Sequence, residues 1–162
     1  MAAKQAAPAA GTAHIKVIVN NRRARFDYHV ESKVECGLVL TGTEVKSLRE
    51  GTVQLSDAYA VQQRGDLYLM NMQVAHYGPA GPLLNHEPKR ARKLLLHRRE
   101  IDKLFEQQQK QGYALIPLQL YFKDGKVKVE LGVCKGKAGA DKRDAIAERD
   151  AKREMDRAKK SR

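Results

Sequence analysis

The sequence is poor in the residues that usually signal a metal site or a disulfide framework. It has two cysteines, Cys36 and Cys134, five histidines and no tryptophan among 162 residues. Two cysteines in different contexts form neither a disulfide framework nor a zinc pattern, so both are expected to be reduced packing residues. The histidines lack the i, i+4 and H-x-E spacings of metal ligands. No metal site is therefore predicted.

Long apolar runs and nucleotide-binding loops are also missing. Apolar runs such as 94–96 are a few residues long, far shorter than a membrane span. The start, MAAKQAAPAAGTA, has no apolar stretch of signal-peptide length, which favours a disordered lead and a cytoplasmic protein. No G-x-x-x-x-G-K-[ST], G-x-G-x-x-G or G-x-S-x-G motif is present. We therefore expect a binding protein without a cofactor, and not an enzyme.

What the sequence has in excess is positive charge. It contains 31 Lys and Arg against 19 Asp and Glu, a formal net charge of +12. Such a field attracts phosphate, so a polyanion is the first expectation for a partner and a membrane surface the second. The charge is shared between the core and the segment 135–162. Within the core it is concentrated in 89–99, KRARKLLLHRR, which contains no acid.

Alternating apolar and polar residues predict a mainly β domain. In 118–133, LQLYFKDGKVKVELGV, the alternation runs on both sides of Asp124 and Gly125, the pair typical of a type I′ hairpin turn. A second hairpin is predicted over 57–72. Two further strands are predicted, at 25–30 and 42–51. About six short strands at this spacing indicate a small barrel or sandwich.

Helical patterns interrupt the strands. A short helix is predicted over 31–40, and a longer one from near His97, with Glu100 at the capping-box spacing, to Gly112. The segment 135–162 contains good helix formers but few large apolar side chains, so it is expected to be mostly unfolded in the free chain. The predicted division is a disordered lead at 1–13, a β domain at 14–134 and a basic tail at 135–162.

Two basic segments are candidates for a nucleic-acid surface. Residues 21–28, NRRARFDY, offer three arginines for phosphates and two aromatic rings for stacking or for packing inward. Residues 89–99 place six cations around three leucines that the following helix cannot fully cover. Both segments could equally be solvated faces of the domain. Glu35 could accept hydrogen bonds from base N–H groups, or be an ordinary exposed glutamate.

Four segments carry a family resemblance. They are NRRARFDY, VECGLVLTGTEVKSLREG, RARKLLLHRREIDKL and GVCKGKAGADKRDAIAERDAKRE. In this order they resemble the SmpB family, the bacterial SsrA-binding proteins. The resemblance implies a closed, oligonucleotide-binding-fold-like β-barrel of about six strands with three helices. It also implies a monomer that binds the tRNA-like domain of transfer-messenger RNA and carries it to stalled ribosomes, so that the nascent peptide is tagged.

The resemblance also implies roles for single residues. The expected RNA-binding residues are Arg22, Arg23, Arg25, Tyr28, Glu35, Lys46, Arg92, Lys93, Leu95 and His97. The segment from Lys135 matches the tail that, in this family, enters the vacant mRNA channel near the decoding centre and becomes helical there. The expected ribosome-binding residues are Lys135, Lys137, Asp141, Lys142, Arg143, Ile146, Arg149 and Met155. Ala140 stands where the family usually has a histidine.

Two other functions remain open from the sequence. A general chaperone of structured RNA, or a ribosome-associated RNA-binding protein, would bind by charge, with similar affinity for any tRNA and a steep salt dependence. An RNA-processing enzyme with an unrecognised site would change the RNA on incubation.

Overall fold

The computed structural model describes residues 13–110 and 112–160, and over these residues the chain is mainly β. Its strands are β1 Ile15–Asn20, β2 Tyr28–Leu38, β3 Val53–Gln54, β4 Tyr59–Gln63, β5 Asp66–Met70, β6 Gln73–Val74, β7 Arg92–Leu95, β8 Tyr113–Lys123 and β9 Lys126–Gly136. Its α-helices are α1 Arg22–Asp27, α2 Gly42–Arg49, α3 Gly81–Leu84, α4 Arg98–Gln108 and α5 Gly139–Lys160, and a 3-10 turn covers Gly78–Ala80. The expected disordered lead at 1–13 lies, except for its last residue, outside the described residues.

The expectation of three helices is not matched, and the chain has more strands in total than the six expected of a barrel. The described residues contain nine strands and five α-helices. Strands β3 and β6 have two residues each, and helices α1 and α3 have six and four. Such short elements contain too little periodic sequence to be recognised from a pattern.

The hairpin predicted around Asp124 and Gly125 is confirmed. Strands β8 and β9 pair antiparallel, and the two turn residues have φ of 50° and 78°, as a type I′ turn requires. Leu120 pairs with Val129, and both side chains are fully buried. The apolar side of the alternation therefore faces the core.

The hairpin predicted over 57–72 is also confirmed. Strands β4 and β5 pair antiparallel and turn at Arg64 and Gly65, whose φ values are 51° and 84°. Leu67 and Leu69 are buried and alternate along β5 with the partly exposed Asp66, Tyr68 and Met70. Arg64, Gly65 and Asp66 form an Arg-Gly-Asp triplet, and its role here is structural: the first two residues are the turn and Asp66 begins β5.

Seven strands form one antiparallel sheet. Its order is β1-β8-β4-β5-β7-β2-β9, and β8 pairs with β9 as well. Helices α2 and α4 contribute Leu48 and Leu104 to the core that this sheet encloses with its own leucines. Cys36 and Cys134 are free and buried, as expected, and burial raises the pKa of their thiols to about 12 and about 11. No helix in the described ranges is long and apolar enough to cross a membrane.

The strand predicted at 25–30 is wrong in its first half, which lies in α1. The side chain of Asn21 accepts a hydrogen bond from the Ala24 N–H at 3.0 Å and so caps the helix. It also donates to the backbone carbonyls of Leu55 and Pro117, at 3.0 and 2.9 Å. One buried asparagine thus begins the helix and ties it to two other parts of the chain.

The helix predicted over 31–40 is wrong, because most of this segment is the second half of β2. Burial alternates along the strand and leaves Cys36 and Leu38 inside. Strands β7 and β9 pair with β2 on its two edges. Hydrogen bonding on both sides outweighs the weak helical pattern of the segment.

The strand predicted at 42–51 is helix α2. The Glu44 carboxylate accepts a hydrogen bond from the Thr41 N–H at 2.8 Å, the second half of a capping box. Glu44, Ser47 and Leu48 are buried at the spacing of one helical face. The Thr-x-x-Glu spacing was the sequence signal for this helix.

Candidate RNA interface

An exposed groove brings together three of the expected RNA-binding residues. Glu35 on β2, Leu95 at the end of β7 and His97 before α4 line it, with Gly37 and Lys128 between them. Its volume is about 380 Å³. We call it the Glu35 groove. Leu96 and Glu100 complete the lining. The groove thus combines two carboxylates, apolar side chains, an imidazole and a cation, groups that can contact a nucleobase and its phosphate.

Strand register explains why these residues meet. Gly37 pairs with Leu95 of β7 on one side and with Lys128 of β9 on the other. A Cβ at position 37 would lie 3.1 Å from the Leu95 Cβ, so glycine allows the strands to approach here. Leu94 is buried, whereas Leu95 is 53% exposed and faces outward. The leucine run therefore contributes to both the core and the groove.

The Glu35 carboxylate is held by two side chains of β8. The Tyr121 hydroxyl donates to it, and Lys123 Nζ lies 3.1 and 3.2 Å from its two oxygens. The Tyr121 hydrogen bond is the main cause of the lowered pKa of Glu35; Lys123 and Lys128 act in the same direction, and partial burial opposes them. Burial, with Glu35 beside it, raises the pKa of Tyr121, which stays a donor. Glu35 is therefore an oriented, ionised acceptor.

Lys93 lies on β7, on the side toward β5. Its Nζ is 3.0 Å from the Asp66 carboxylate, and this hydrogen bond raises the pKa of Lys93. Arg98 donates to the Gly65 carbonyl at 2.8 Å, so the basic segment 89–99 contacts the β4–β5 hairpin at two points. Lys93 remains charged and half-exposed.

Two other expected residues lie apart from the groove. Arg92 is 0% exposed; it pairs with Glu44 and donates to the Met72 carbonyl at 2.7 Å. The structure therefore contradicts a direct RNA contact by Arg92, whose guanidinium is part of the core. Lys46 is exposed on α2, with its Nζ 5.3 Å from the centre of the Tyr77 ring.

The expected arginines of the first basic segment lie on a helix and not on a strand. Arg22 and Arg25 are exposed and three residues apart, so they share one side of α1. Arg23 forms ion pairs with Asp57 at 3.0 Å and Asp27 at 3.4 Å. Arg22 and Arg25 are thus the better placed of the three for phosphate contacts.

A second cavity, of about 400 Å³, lies beside α1. Arg23 and Tyr28 line it together with Tyr59 and Tyr113. Lys135, near the end of β9, lies with its Nζ 5.8 Å from the centre of the Tyr113 ring. Tyr28 therefore faces this cavity and not the Glu35 groove.

The tail begins against α1. The Lys137 N–H donates to the Asp27 carbonyl at 2.9 Å, and Lys142 pairs with the Asp27 carboxylate at 3.4 Å. Asp141 lies 3.5 Å from His29, and its carboxylate also accepts a hydrogen bond from the backbone of Ala138. Three expected ribosome-binding residues, Lys137, Asp141 and Lys142, are thus in contact with the domain in the free chain.

The tail was expected to be mostly unfolded in the free chain. The structure instead has it as one continuous helix, α5. Arg149 lies 5.3 Å from the centre of the Phe26 ring. Arg143 is exposed, as are Ile146 and Met155, and no residue of α5 is buried. The helix therefore has hydrogen bonds of its own but little packing to stabilise it.

We expect the backbone amides of 150–160 to exchange rapidly in the free protein, because this half of α5 is exposed on all sides. Hydrogen–deuterium exchange read by NMR or mass spectrometry measures this directly. The amides of Leu120 and Leu131, in the buried hairpin, are the slow reference. Protection of 150–160 equal to that of the hairpin would contradict the prediction.

Sequence reasoning missed part of the groove. Tyr121 and Lys123 hold Glu35, and Gly37 and Lys128 line the groove beside it. The available signal was the polar side of the alternation in 118–133, which directs Lys128 and Lys123 to the same face. The pairing that brings this face to Glu35 was not readable from the sequence.

The fold and the groove define a class of protein. A net charge of +12, a small antiparallel sheet and a groove with an oriented carboxylate beside an exposed leucine are the features of a β-rich RNA-binding protein.

Comparison with known proteins narrows the class. The family model described as SmpB protein matches residues 18–161. An SsrA-binding protein of Myxococcus xanthus is 53% identical over 148 residues, covering 91% of each chain. One from Syntrophomonas wolfei is 51% identical over 148 residues, covering 91% of this chain and 94% of its own. The chain belongs to the SmpB family.

A solved structure also resembles the chain. It is described as "tmRNA-SmpB: a journey to the center of the bacterial ribosome", and one of its chains is 42% identical, with a TM-score of 0.64. The match covers 79% of this chain and 93% of the solved one. Similarity therefore extends to the backbone.

Proposed function

We propose that this chain is the transfer-messenger RNA-binding protein of trans-translation. It binds the tRNA-like domain of that RNA and delivers it to stalled ribosomes in the cytoplasm, where the tail occupies the vacant mRNA channel near the decoding centre. Tagging of the nascent peptide and release of the ribosome follow. The SmpB family membership and the solved relative support this function. It is a binding role and needs no cofactor.

The Glu35 groove is the observation that supports the RNA-binding part of the proposed function. An ionised carboxylate repels phosphate, so in a chain of net charge +12 an oriented one is suited to base N–H groups. We assign RNA binding to this groove, with Lys93 nearby and the α1 arginines as phosphate contacts. Lys46, exposed on α2 away from the groove, is proposed as a further RNA contact.

For the fold we propose that the sheet closes into a barrel. The pairings run from β8 through β4, β5, β7 and β2 to β9, and β9 pairs with β8 again. A closed barrel would leave β1 as an added strand on β8. This arrangement is that of an oligonucleotide-binding-like fold.

We propose two functional parts, a β domain for RNA and a tail for the ribosome. Strand β9 extends to Gly136, so the natural end of the domain is two residues beyond 134. The tail then begins at Lys137. Its proposed ribosomal contacts are those expected from the resemblance, led by Asp141, Lys142 and Arg143. Lys135, which lies in β9, is proposed as a contact made by the domain.

Replacing Glu35 with glutamine tests the groove. The change keeps the shape of the side chain but removes its charge, and we expect it to weaken binding of transfer-messenger RNA about tenfold, the effect of one charged hydrogen bond. Glu31→Gln is the matched control, because Glu31 is also exposed on β2 and accepts a hydrogen bond from a tyrosine, Tyr113, at 2.7 Å. Affinity is measured by filter binding or calorimetry at fixed salt.

The same titration separates the proposed function from binding by charge alone. We expect the unaltered chain to bind transfer-messenger RNA much more tightly than an elongator tRNA. Equal affinity for the two RNAs, with a steep salt dependence, would favour a general RNA chaperone. A change in the RNA itself on incubation would indicate an enzyme.

A further inference from the structure

Glu35 has a like-charged neighbour across the sheet. In the β2–β9 register it lies directly opposite Glu130, and two carboxylates in this position repel each other. Glu130 is paired with Lys33 at 2.8 Å, on one side of the pair. Glu35 is paired with Tyr121 and Lys123 on the other. Two separate sets of partners therefore hold the two carboxylates apart.

The Glu35 side chain reaches across a strand to its partners. Strand β9 lies between β2 and β8 in the pairing, and Tyr121 and Lys123 are on β8. Tyr121 is 7% exposed, so its ring is fixed by packing. Its hydroxyl donates to Oε2 of Glu35, and Lys123 donates to both oxygens. The carboxylate is thus oriented before any ligand arrives.

Tyr121 and Lys123, which we call the clamp, leave part of the acceptor capacity of Glu35 unused. A carboxylate has about four acceptor positions, and the three hydrogen bonds from Tyr121 and Lys123 occupy two on Oε2 and one on Oε1. An acceptor position on Oε1 is left. The Glu35 groove, with Leu95 and His97, is the space beside this carboxylate.

We infer that Tyr121 and Lys123 are positioning residues for RNA recognition. They fix the Glu35 carboxylate so that its unused acceptor meets an N–H donor of a nucleobase in the Glu35 groove, and so make the groove selective for a base over a phosphate. A held carboxylate loses little rotamer freedom on binding, which favours the RNA that offers the matching donor. This inference rests on the proposed function.

The clamp affects how RNA binding depends on pH. Charged and titratable groups around Glu35 are Tyr121 and Lys123 on β8, Lys128 and Glu130 on β9, and His97 with Glu100 at the start of α4. The Tyr121 hydrogen bond lowers the pKa of Glu35. Without it the pKa rises, so Glu35 gains its proton, and the base contact is lost, at a higher pH than in the native chain.

The test compares Tyr121→Phe with Tyr113→Phe, because each tyrosine donates to a glutamate of β2. We expect Tyr121→Phe to weaken binding of transfer-messenger RNA about fivefold at neutral pH, the effect of a displaced hydrogen bond. Its binding should also fall at higher pH than that of Tyr113→Phe when both are titrated down from about pH 7. The other titratable groups are the same in both variants, so their effect on binding cancels when the two pH profiles are compared. Binding of an elongator tRNA should not change.

A double-mutant cycle separates positioning from structure. In a Glu35→Gln background we expect Tyr121→Phe to have no further effect, because there is no carboxylate left to orient. Lys123→Met repeats the test on a more exposed side chain. It provides the test alone if thermal unfolding shows that Tyr121→Phe is not folded.

The outcomes are distinct. A native affinity and pH profile in both Tyr121→Phe and Lys123→Met would overturn the inference while leaving the proposed function in place. So would a loss that persists undiminished in the Glu35→Gln background. Failure of the unaltered chain to distinguish the two RNAs would overturn the proposed function, and the inference with it.

Discussion

A chain that ends at Gly136 will bind transfer-messenger RNA normally but will not support peptide tagging. No residue of α5 is buried. Its contacts with the domain include Lys142 with Asp27 and Arg149 with Phe26, both on α1, and Asp141 with His29 on β2. Removing α5 therefore leaves the sheet, the core and the Glu35 groove intact. A reconstituted reaction with stalled ribosomes and charged transfer-messenger RNA measures tagging, and a binding titration on the same samples measures RNA affinity.

Proline substitutions show whether the helical form of the tail is what matters. Ala147→Pro places a proline inside α5, which costs about 3 kcal/mol of helix stability, and we expect tagging to fall tenfold or more. Gly139→Pro is the matched control, because Gly139 is the first residue of α5, where proline is tolerated and where a side chain meets no neighbour within 4 Å.

Equal tagging by the chain ending at Gly136 and by the full chain would contradict the role of the tail. Loss of tagging together with loss of RNA binding would show that the two parts are not separable. Equal tagging by both proline variants would show that the charges of the tail act without the helix.

Elements with strong local signals were predictable from the sequence. The β8–β9 hairpin depends on Asp124 and Gly125, which adopt the positive φ of a type I′ turn, and on an alternation that needs no other part of the chain. Helix α4 begins where predicted, because Glu100 accepts a hydrogen bond from the His97 N–H at 3.0 Å. Both are interactions over a few residues.

The segment 22–51 was not predictable in the same way, because distant contacts decide it. Asn21 caps α1 while bonded to carbonyls 34 and 96 residues away. Strand β2 is an extended strand because β7 and β9 flank it. Signals for helix and strand in this segment are short and conflicting, so tertiary pairing determines the outcome.

Some residues of the candidate site were likewise predictable from the sequence, and others were not. Glu35, Leu95 and His97 were found through a resemblance, and the structure brings them into one groove. Tyr121 lies 86 residues from Glu35, so only the register of three strands places them together. Arg92 stands in a run of cations that suggests a binding surface, yet its partner lies 48 residues earlier in the chain. A charge run does not indicate which of its members face inward.

Loss of either partner in the buried pair of Arg92 and Glu44 will destabilise the fold by about 3–5 kcal/mol. Both side chains are 0% exposed, and the pair is 2.8 Å apart. In Arg92→Met, Glu44 retains its ion pair with Arg90, at 2.6 Å. In Glu44→Gln, the buried Arg92 guanidinium loses its ion-pair partner. Urea unfolding of each variant measures the loss.

Lowering the pH should remove the stabilisation that the Arg92–Glu44 ion pair gives to the fold. Burial raises the pKa of Glu44, but hydrogen bonds and charges from Arg90, Arg92 and the Thr41 backbone outweigh it, and the net pKa is lowered. A lowered folded-state pKa means that the contribution is complete above the ordinary glutamate value, about 4.3, and is lost as the pH falls through the folded value. Glu44→Gln should therefore be the less sensitive chain in this acid range.

Two measurements identify the role of Arg92: the stability of the double variant Arg92→Met with Glu44→Gln, and the RNA affinity of Arg92→Met. With both charges replaced, the loss should be smaller than the sum of the single losses, because no buried charge is left unpaired. Where Arg92→Met is still folded, its affinity for transfer-messenger RNA should equal that of the native chain. Additive losses in stability would contradict the pairing, and a loss of affinity without a loss of stability would return Arg92 to the RNA surface. Its burial predicts neither result, since a side chain enclosed by the core stabilises the groove without touching the RNA.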